Sequence, residues 1–360
     1  METLIQEIYQ ILKDYRADEG KKSVTITPDK IKNWISQFEE SDREFLLSEL
    51  KNVFQKRYCS KSKAKSFLKN VVNKLSDDLG YSNKKDFLDN AHFLDLQAEG
   101  KSQKKMLELL AIVLKDDFSY DVTNLGSKTK KHFVYIDDVL CTGNTFYQNL
   151  KDWLNTEENG VTMLQKLKNK EIDLKSAYIY IISKNHDKKL GQFYHNVDKN
   201  FRDMETTYAM HWLDKEILKP TATNQPSSVT EYEGKVIFQA DEHAQGKYTY
   251  QPEFYRIADT TTAEEFYSSH DNRIRFENIL LSKGIDILNK VAVKKGNVRP
   301  LGYSLPAYKD FGSGALLFTW RNVPNNTPLV FWYSGGDFTP LFDNVRPTKN
   351  FANFADWFNI

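Results

Sequence analysis

The stretch that decides the fold of this chain runs Phe133-Val134-Tyr135-Ile136-Asp137-Asp138-Val139-Leu140-Cys141-Thr142-Gly143-Asn144-Thr145. Its first four residues are apolar strand formers, and two acids follow them directly. A short loop of small and hydroxylated residues comes next, and a helical pattern then continues to about Leu154. The stretch therefore predicts a buried strand, a polar loop and a helix in series.

The two acids and the loop that follows them can bind two different groups of a ligand. Acids at the carboxyl end of a strand lie at the ligand-binding edge of an open α/β sheet, where Asp137 and Asp138 can accept hydrogen bonds from the 2′-OH and 3′-OH of a ribose. The N–H groups that open the next helix favour a phosphate. Gly143 allows close backbone approach, while Thr142 and Thr145 add hydroxyl donors. The alternative is a plain strand-turn-helix unit with a surface Asp-Asp turn, which does not require the Thr-Gly-x-Thr sequence.

Length and composition bound the class of protein. The chain has 360 residues, enough for one large domain with additions or for two to three domains. Fifty basic residues oppose 49 acidic ones, so bulk charge gives no argument for nucleic-acid binding. The two cysteines, Cys59 and Cys141, share no metal or disulfide spacing, which favours a reducing cytoplasm. No apolar run approaches the ~18 residues that a membrane span needs, so we expect a cytoplasmic protein with no membrane contact.

The periodicity changes near residue 90. Before it, apolar residues recur at helical spacing, and Thr27-Pro28 reads as the start of a helix. After it, short β-type runs alternate with helical patterns, which predicts a parallel sheet with helices on its faces. We therefore predict an N-terminal helical domain over 1–88, for which a winged-helix-like packing is one arrangement, and an α/β domain over 89–360. Two runs near the end, 315–318 and 329–332, predict a β-rich C-terminal extension.

The central stretch resembles the diphosphoribosyl-binding motif of type I phosphoribosyltransferases: four apolar residues, two acids, two apolar residues and a small-Thr-Gly-x-Thr loop. The resemblance implies that Asp137 and Asp138 hold the ribose hydroxyls, and that Cys141, Thr142, Gly143, Asn144 and Thr145 wrap the 5′-phosphate. It also implies Mg²⁺ as cofactor. That ion would be carried chiefly by oxygens of bound 5-phosphoribosyl-1-diphosphate (PRPP), with the two acids as indirect metal partners at most.

A second loop is a candidate for the diphosphate that such enzymes bind. Gly100, Lys101 and Ser102 lie between a predicted strand at 91–96 and a predicted helix that starts near residue 104. Lys101 would neutralise diphosphate charge, and Ser102 would cap the helix. An ordinary Ser-capped helix with an exposed Lys explains the pattern equally well. Lys128, Lys130 and Lys131 precede the central strand and read more simply as solvated lysines.

The rest of the chain resembles a narrower group, the phosphoribosyltransferase-like PRTase-CE domain of bacterial conflict and anti-phage defence loci. Besides the two loops, the resemblance rests on a Trp34-Ile35-x-x-Phe38 helix and on the ending Asn322-Val323-Pro324-Asn325-Asn326-Thr327-Pro328-Leu329-Val330-Phe331-Trp332. It implies an effector of an anti-phage system. Some relatives accompany the reverse transcriptases of retrons, so a complex with a reverse transcriptase and nucleic acid is one implied partner.

Other features have plainer interpretations. Asn325 and Asn326 form a turn, with recognition of a base as the alternative, and Trp332 is expected in the core. His186 and His195 lie in a Lys-rich segment that we read as a loop without a metal site. The cationic stretch from Lys51 to Lys69 reads as a solvated helix face rather than a nucleic-acid surface.

The sequence is consistent with two main functions. One is an enzyme that binds PRPP or a nucleotide and makes or breaks the bond at the anomeric carbon, through pentosyl transfer or through N-glycosidic or diphosphate cleavage. The other is a module that senses nucleotides or binds a partner without turnover. A scaffold for a partner protein or nucleic acid is a third, weaker reading. The motif is common to binding and catalysis, so it does not separate them.

Overall fold

The computed structural model describes residues 1–20, 24–98, 100–213, 217–244, 254–256, 264–291 and 296–343. Its strands are β1 (Tyr58–Cys59), β2 (Ala91–Leu94), β3 (His132–Leu140), β4 (Glu157–Glu158), β5 (Val161–Thr162), β6 (Asp173–Ile182), β7 (Glu205–Leu213), β8 (Val298–Arg299), β9 (Gly302–Tyr303) and β10 (Phe318–Thr319). Its α-helices are α1 (Glu2–Leu12), α2 (Pro28–Ile35), α3 (Glu40–Arg57), α4 (Lys61–Asp78), α5 (Lys84–Asn90), α6 (Ser102–Phe118), α7 (Asn144–Leu154), α8 (Met163–Lys168), α9 (Ser183–Asn196), α10 (Phe201–Met204), α11 (Ser227–Ala244), α12 (His270–Asn289) and α13 (Leu329–Trp332). Short 3-10 helices cover Ala17–Glu19 and Val122–Asn124.

The central sheet has four parallel strands in the order β2-β3-β6-β7. Strand order follows chain order, and each connection between neighbouring strands contains helix, as parallel pairing requires. Strand β3 is interior, so its carboxyl end has a strand on each side. The prediction of a parallel sheet flanked by helices, with a helical N-terminal region, is confirmed.

Side chains of the sheet face two separate cores. Val134 and Ile136 of β3 belong to the first core, with helices α1 to α6, helix α12 and the C-terminal segment. Phe133 and Tyr135 belong to the second core, with helices α7 to α10. The alternation follows from the two-residue period of a strand, which sends successive side chains to opposite faces.

Helix α2 begins where the local signals predict. The Thr27 hydroxyl accepts a hydrogen bond from the Lys30 N–H at 3.1 Å, and Pro28 is the first helical residue of α2. The N-terminal helices pack on the end of the chain: the Trp34 indole N–H donates to the Val330 carbonyl at 2.7 Å, and β1 pairs with β10. In residues 1–20 and 24–90, which the structure describes, Tyr58–Cys59 is the only strand.

Three segments differ from their predicted structure. The segment with His186 and His195 is helix α9. Residues 219–234 are rich in Thr, Ser, Asn and Pro, which predicts a loop, yet those from Ser227 onward belong to helix α11. Residues 329–332 form the short helix α13, because a fully buried apolar run has no periodicity to separate helix from strand. After α12, the strands among the described residues are β8, β9 and β10, each two residues long, and of the run 315–318 only Phe318 lies in a strand. Among the helices that the structure describes, none is long and apolar enough to cross a membrane.

Candidate functional site

Strand β3 carries Asp137 and Asp138 near its carboxyl end, inside the protein. Asp137 is 6% exposed and Asp138 is 2% exposed, so both acids are buried and do not belong to a surface turn. Asp137 lies opposite Tyr178 of β6 in the register of the sheet. A buried carboxyl group must have polar partners, because an unpaired one is costly away from water.

Asp137 finds its partners on the neighbouring strand and helix. One carboxylate oxygen accepts from the Gln97 amide at 2.5 Å. The other accepts from the Ser102 hydroxyl at 2.8 Å and from the Asp138 backbone N–H at 2.9 Å. Ser102 is the first residue of α6, and its hydroxyl makes no cap, so the prediction that it caps the helix is wrong. The bond nevertheless brings the loop of Gly100, Lys101 and Ser102 to the acids.

Gln103 holds this arrangement in place, and sequence analysis did not identify it. Its side-chain oxygen accepts from the backbone N–H groups of Leu96 and Gln97, each at 2.9 Å, and its amide donates to the Ile136 carbonyl at 3.2 Å. Gln103 is completely buried. It therefore ties the end of β2 to β3 just beside the acids, and a glutamine following a loop serine gives no distinct signal for this role.

Asp138 faces a different part of the protein. Its carboxylate accepts from the Asn322 amide at 3.3 Å, and the Thr319 hydroxyl lies 3.5 Å away. Thr319 and Asn322 are themselves held together, since the Asn322 N–H donates to the Thr319 hydroxyl at 2.9 Å. The C-terminal ending that resembles PRTase-CE proteins thus contacts the second acid of the motif. Only tertiary structure brings these two segments together.

The two acids favour protonation. Burial raises the pKa of both carboxyl groups, and the charge of Asp138 raises the pKa of Asp137 further. The hydrogen bonds from Ser102 and Gln97 oppose this shift by stabilising the charged form of Asp137. Two adjacent carboxylates in a buried site therefore carry an electrostatic cost that a hydroxyl donor or a cation would reduce.

The loop after the acids forms a turn that opens helix α7. Gly143 precedes the helix at φ +73°, a left-handed conformation that favours glycine, and no side chain caps the first turn. The Asn185 amide donates to the Cys141 carbonyl at 2.7 Å and anchors the loop to α9. The loop thus presents helix N–H groups beside Thr142 and Asn144, the arrangement that suits a phosphate. Thr145 lies one residue inside the helix and is exposed.

Three lysines of helix α9 lie next to this loop: Lys184, Lys188 and Lys189. Lys189 is buried, and its ammonium group donates to the side-chain oxygens of Asn144 and Gln192. Burial and, to a smaller extent, the charge of Lys188 together lower the pKa of Lys189 to about 8. Sequence analysis missed these residues. Their position directly after strand β6 and their spacing of four and one would have placed them at the same sheet edge as the acids.

Other candidate residues lie elsewhere or have other partners. Lys128, Lys130 and Lys131 precede β3 and so lie beyond the opposite end of the strand from the acids; Lys131 and Asp137 are six residues apart, about 20 Å in an extended strand. Lys128 pairs with Asp86 and Asp89 there.

Four of the six lysines of the N-terminal cationic stretch contact acids, as a solvated face predicts, while Lys56 and Lys63 donate to backbone carbonyls. These pairs are Lys51 with Glu7, Lys61 with Asp18, Lys65 with Asp116 and Lys69 with Asp117. Their positive charge is therefore largely neutralised within the chain. Asn326 is a separate case. It lines a cavity beside the candidate phosphate loop, Cys141–Thr145, and its amide donates to the Tyr303 carbonyl at 3.1 Å.

The predicted Mg²⁺ can be tested against the donor set. Among the residues described, no three His, Cys, Asp or Glu side chains cluster closely enough to hold a metal ion. Asp137 and Asp138 supply two carboxylates in one place, which suits an ion that takes its remaining ligands from phosphate and water. The residues therefore fit Mg²⁺ carried by a phosphorylated ligand and do not form a protein cage for it.

The fold and the site together define an α/β protein with an acidic pair and a phosphate-type loop at the carboxyl end of a parallel strand. A family model, PRTase-CE, matches residues 31–344. This range covers most of the chain, so the protein belongs to the PRTase-CE family and is phosphoribosyltransferase-like. A comparison with curated proteins and another with solved structures found no match.

Proposed function

We propose that the protein binds a ribose-5-phosphate compound, either PRPP or a nucleotide, at the carboxyl end of β3 and acts at its anomeric carbon. One observation carries the proposal. Two buried, adjacent acids lead within a few residues into a glycine-containing loop that opens an uncapped helix. Such a site offers acceptors for a diol on one side and donors for a phosphate on the other.

Each residue has a role in the proposal. Asp137 and Asp138 accept hydrogen bonds from the ribose hydroxyls, and the loop Cys141–Thr145 wraps the 5′-phosphate. The loop Gly100–Ser102 takes the group on the anomeric carbon. The 2.8 Å bond from Ser102 to Asp137 supports this last assignment, because it joins the upstream loop to the ribose site.

The proposed reaction at the anomeric carbon depends on how the site stabilises the charges that develop during bond breaking. Breaking the bond at the anomeric carbon develops positive charge on the sugar, and carboxylates in a buried site stabilise such charge strongly. Mg²⁺ held by a diphosphate would neutralise the leaving group. Burial raises the pKa of both acids, and hydroxyl donors of a bound ligand would lower it and favour the ionised pair, as the Gln97 amide and the Ser102 hydroxyl do for Asp137.

A second candidate is nucleotide sensing without turnover. It is favoured by the contact between Asp138 and Asn322, since ligand hydroxyls would compete with Asn322 for the same carboxylate. Binding alone would then loosen the C-terminal segment from the site. Sensing needs no catalytic group beyond those that bind the ligand.

The biological setting is a further part of the proposal. The resemblance to proteins of bacterial conflict loci supports an effector role in anti-phage defence. A complex with a reverse transcriptase and nucleic acid stays a prediction.

The proposal is tested by incubating the full chain with PRPP or nucleotides and MgCl₂, and by analysing products by mass spectrometry and binding by calorimetry. Asp137→Asn/Asp138→Asn should lose binding and turnover. Asp152→Asn, which changes an exposed acid on α7, should retain both. Binding by the wild type without product under any condition would favour sensing. Absence of binding to every ribose phosphate would refute the proposal.

A further inference from the structure

A cavity of about 260 Å³ lies beside the phosphate loop. Thr142 and Asn144 form one side of it, helix α9 forms another, and the segment 301–313 closes it. Neither Asp137, Asp138 nor Ser102 lines this cavity. The cavity therefore extends from the loop assigned to the 5′-phosphate and does not extend from the ribose hydroxyls or the anomeric carbon.

Lysines dominate the charge of this cavity. Lys184 and Lys188 are one helical turn apart, and their ammonium groups lie 5.4 and 4.9 Å from the centre of the Tyr308 ring. Lys188 also donates to the Tyr308 hydroxyl at 2.8 Å. Lys189 completes the group through its contact with Asn144 of the phosphate loop.

Lys188 and Lys189 donate hydrogen bonds to neutral oxygens, those of Tyr308, Asn144 and Gln192. In the part of the chain that the structure describes, neither lysine pairs with a carboxylate, so these contacts do not neutralise their positive charge. Two other charged residues of the lining are instead matched by partners: Arg256 pairs with Glu277 at 2.6 Å and Asp310 with Arg299 at 2.7 Å.

Mutual repulsion among the lysines is a second indication that the cavity carries excess positive charge. Burial lowers the pKa of Lys188, and the charge of Lys184 lowers it further. Lys189 is affected in the same way by burial and by Lys188. An anion bound among these partly buried cations would raise the pKa of Lys188 and Lys189 again and so stabilise their charged forms.

We propose that this cavity binds a second phosphate, joined to the 5′-phosphate of the ligand. The inference rests on the proposed function and narrows its substrate class. The ligand is then a nucleotide with a 5′-diphosphate or a 5′-diphosphate linkage to a second group, and it continues past the phosphate loop toward Tyr303, Tyr308 and Phe311. A compound that ends at a single 5′-phosphate, as PRPP does, fills only part of the site.

The test compares AMP, ADP and ADP-ribose by calorimetry on the full chain with MgCl₂, using ribose 5-phosphate as the reference ligand. The wild type should bind ADP and ADP-ribose about tenfold or more tightly than AMP, because charge-assisted hydrogen bonds to a second phosphate have this magnitude. Lys188→Gln should remove that advantage while leaving the affinities for AMP and ribose 5-phosphate nearly unchanged. Lys188→Arg should keep most of it.

Lys199→Gln is the matched control, since Lys199 is an exposed lysine just beyond α9. Thermal unfolding of Lys188→Gln checks its fold, and loss of a half-buried cation should not lower its midpoint. Equal affinity of the wild type for AMP and ADP would overturn this inference and leave the proposed function standing. An equal loss of AMP and ADP binding in Lys188→Gln would also overturn it. Failure of every one of these ribose phosphates, and of PRPP, to bind would refute both.

Discussion

Burying Asp137 and Asp138 near the end of β3 costs folding free energy, because a carboxylate is less stable away from water. The ordinary carboxyl pKa is near 4, and burial raises the pKa of both Asp137 and Asp138 above it in the folded protein. At a pH between the ordinary carboxyl pKa and the raised pKa of the folded state, the folded state therefore binds more protons than the unfolded state. Stability should therefore fall as the pH rises from about 4 through the raised folded pKa values.

Replacing Asp138 by Asn should remove much of this cost. We expect Asp138→Asn to be more stable than the wild type at pH 8, by about 1 kcal/mol or more of unfolding free energy. The difference should shrink toward pH 4, where the wild-type pair is protonated. Thermal unfolding at several pH values measures it, with Asp152→Asn as control. A gain that is the same at every pH would show that charge burial is not its cause.

Gly143 is the second residue with a sharp requirement. It combines φ +73° with close packing, since a Cβ atom there would lie 2.5 Å from Cγ of Lys189. We expect Gly143→Ala to destabilise the protein by about 1 to 3 kcal/mol and to weaken binding of ribose 5-phosphate. Calorimetry and urea unfolding measure the two effects.

Gly191 provides the control for that substitution. It lies inside helix α9, its φ is not positive, and a Cβ atom there would meet nothing within 4 Å. Gly191→Ala should stabilise the chain by up to ~1 kcal/mol, because Ala favours the helix. Similar losses in the two variants would contradict the role given to Gly143.

At the scale of elements, the start of helix α6 positions the site. Gln103→Leu would leave the N–H groups of Leu96 and Gln97 and the carbonyl of Ile136 without their side-chain partner. Each such buried group costs roughly 1 to 3 kcal/mol, so we expect a loss of about 3 kcal/mol or more. Binding of PRPP should also weaken, because Gln97 would no longer be held against Asp137.

Urea unfolding and calorimetry measure these two effects of Gln103→Leu. The matched control is Gln148→Leu, which changes an exposed glutamine on α7 and should alter stability by less than ~0.5 kcal/mol. If Gln103→Leu lost stability but bound PRPP as the wild type does, the helix start would be structural without positioning the site.

At the scale of the whole molecule, two cores share the sheet but have different neighbours. Phe331 is fully buried in the first core, with its ring 5.8 Å from that of Trp34 and 5.2 Å from that of Phe318. Phe193 is fully buried in the second core, stacked on Phe201 at 4.1 Å. The C-terminal segment therefore stabilises the N-terminal helices more directly than it stabilises α7 and α9.

This division predicts the pattern of local stability. Phe331→Ala should cost about 3 to 5 kcal/mol and should raise amide exchange chiefly in α2 and α3. Phe193→Ala should cost a similar amount and raise exchange chiefly in α7 and α9. Hydrogen exchange followed by mass spectrometry distinguishes the two patterns. Uniform increases in both variants would mean that the cores unfold as one unit.

Local signals in the sequence determined the start of helix α2, the strand-loop-helix order at Asp137 and Asp138 and the parallel class of the sheet. These follow from interactions between residues close in the chain, such as the bond from Thr27 to Lys30. The same signals predicted the wrong structure for residues 329–332, where burial on all sides removes the periodicity that separates helix from strand.

Only the tertiary structure decided which distant residues complete the site. Asn322 meets Asp138 across 184 positions of sequence, and Ser102 meets Asp137 across 35. The lysines of α9 reach the phosphate loop because parallel strands end at the same sheet edge. The sequence by itself determined which chemical groups follow one another at the end of β3, since these belong to adjacent residues. The structure decided the partners, because packing of elements far apart in the chain sets those contacts.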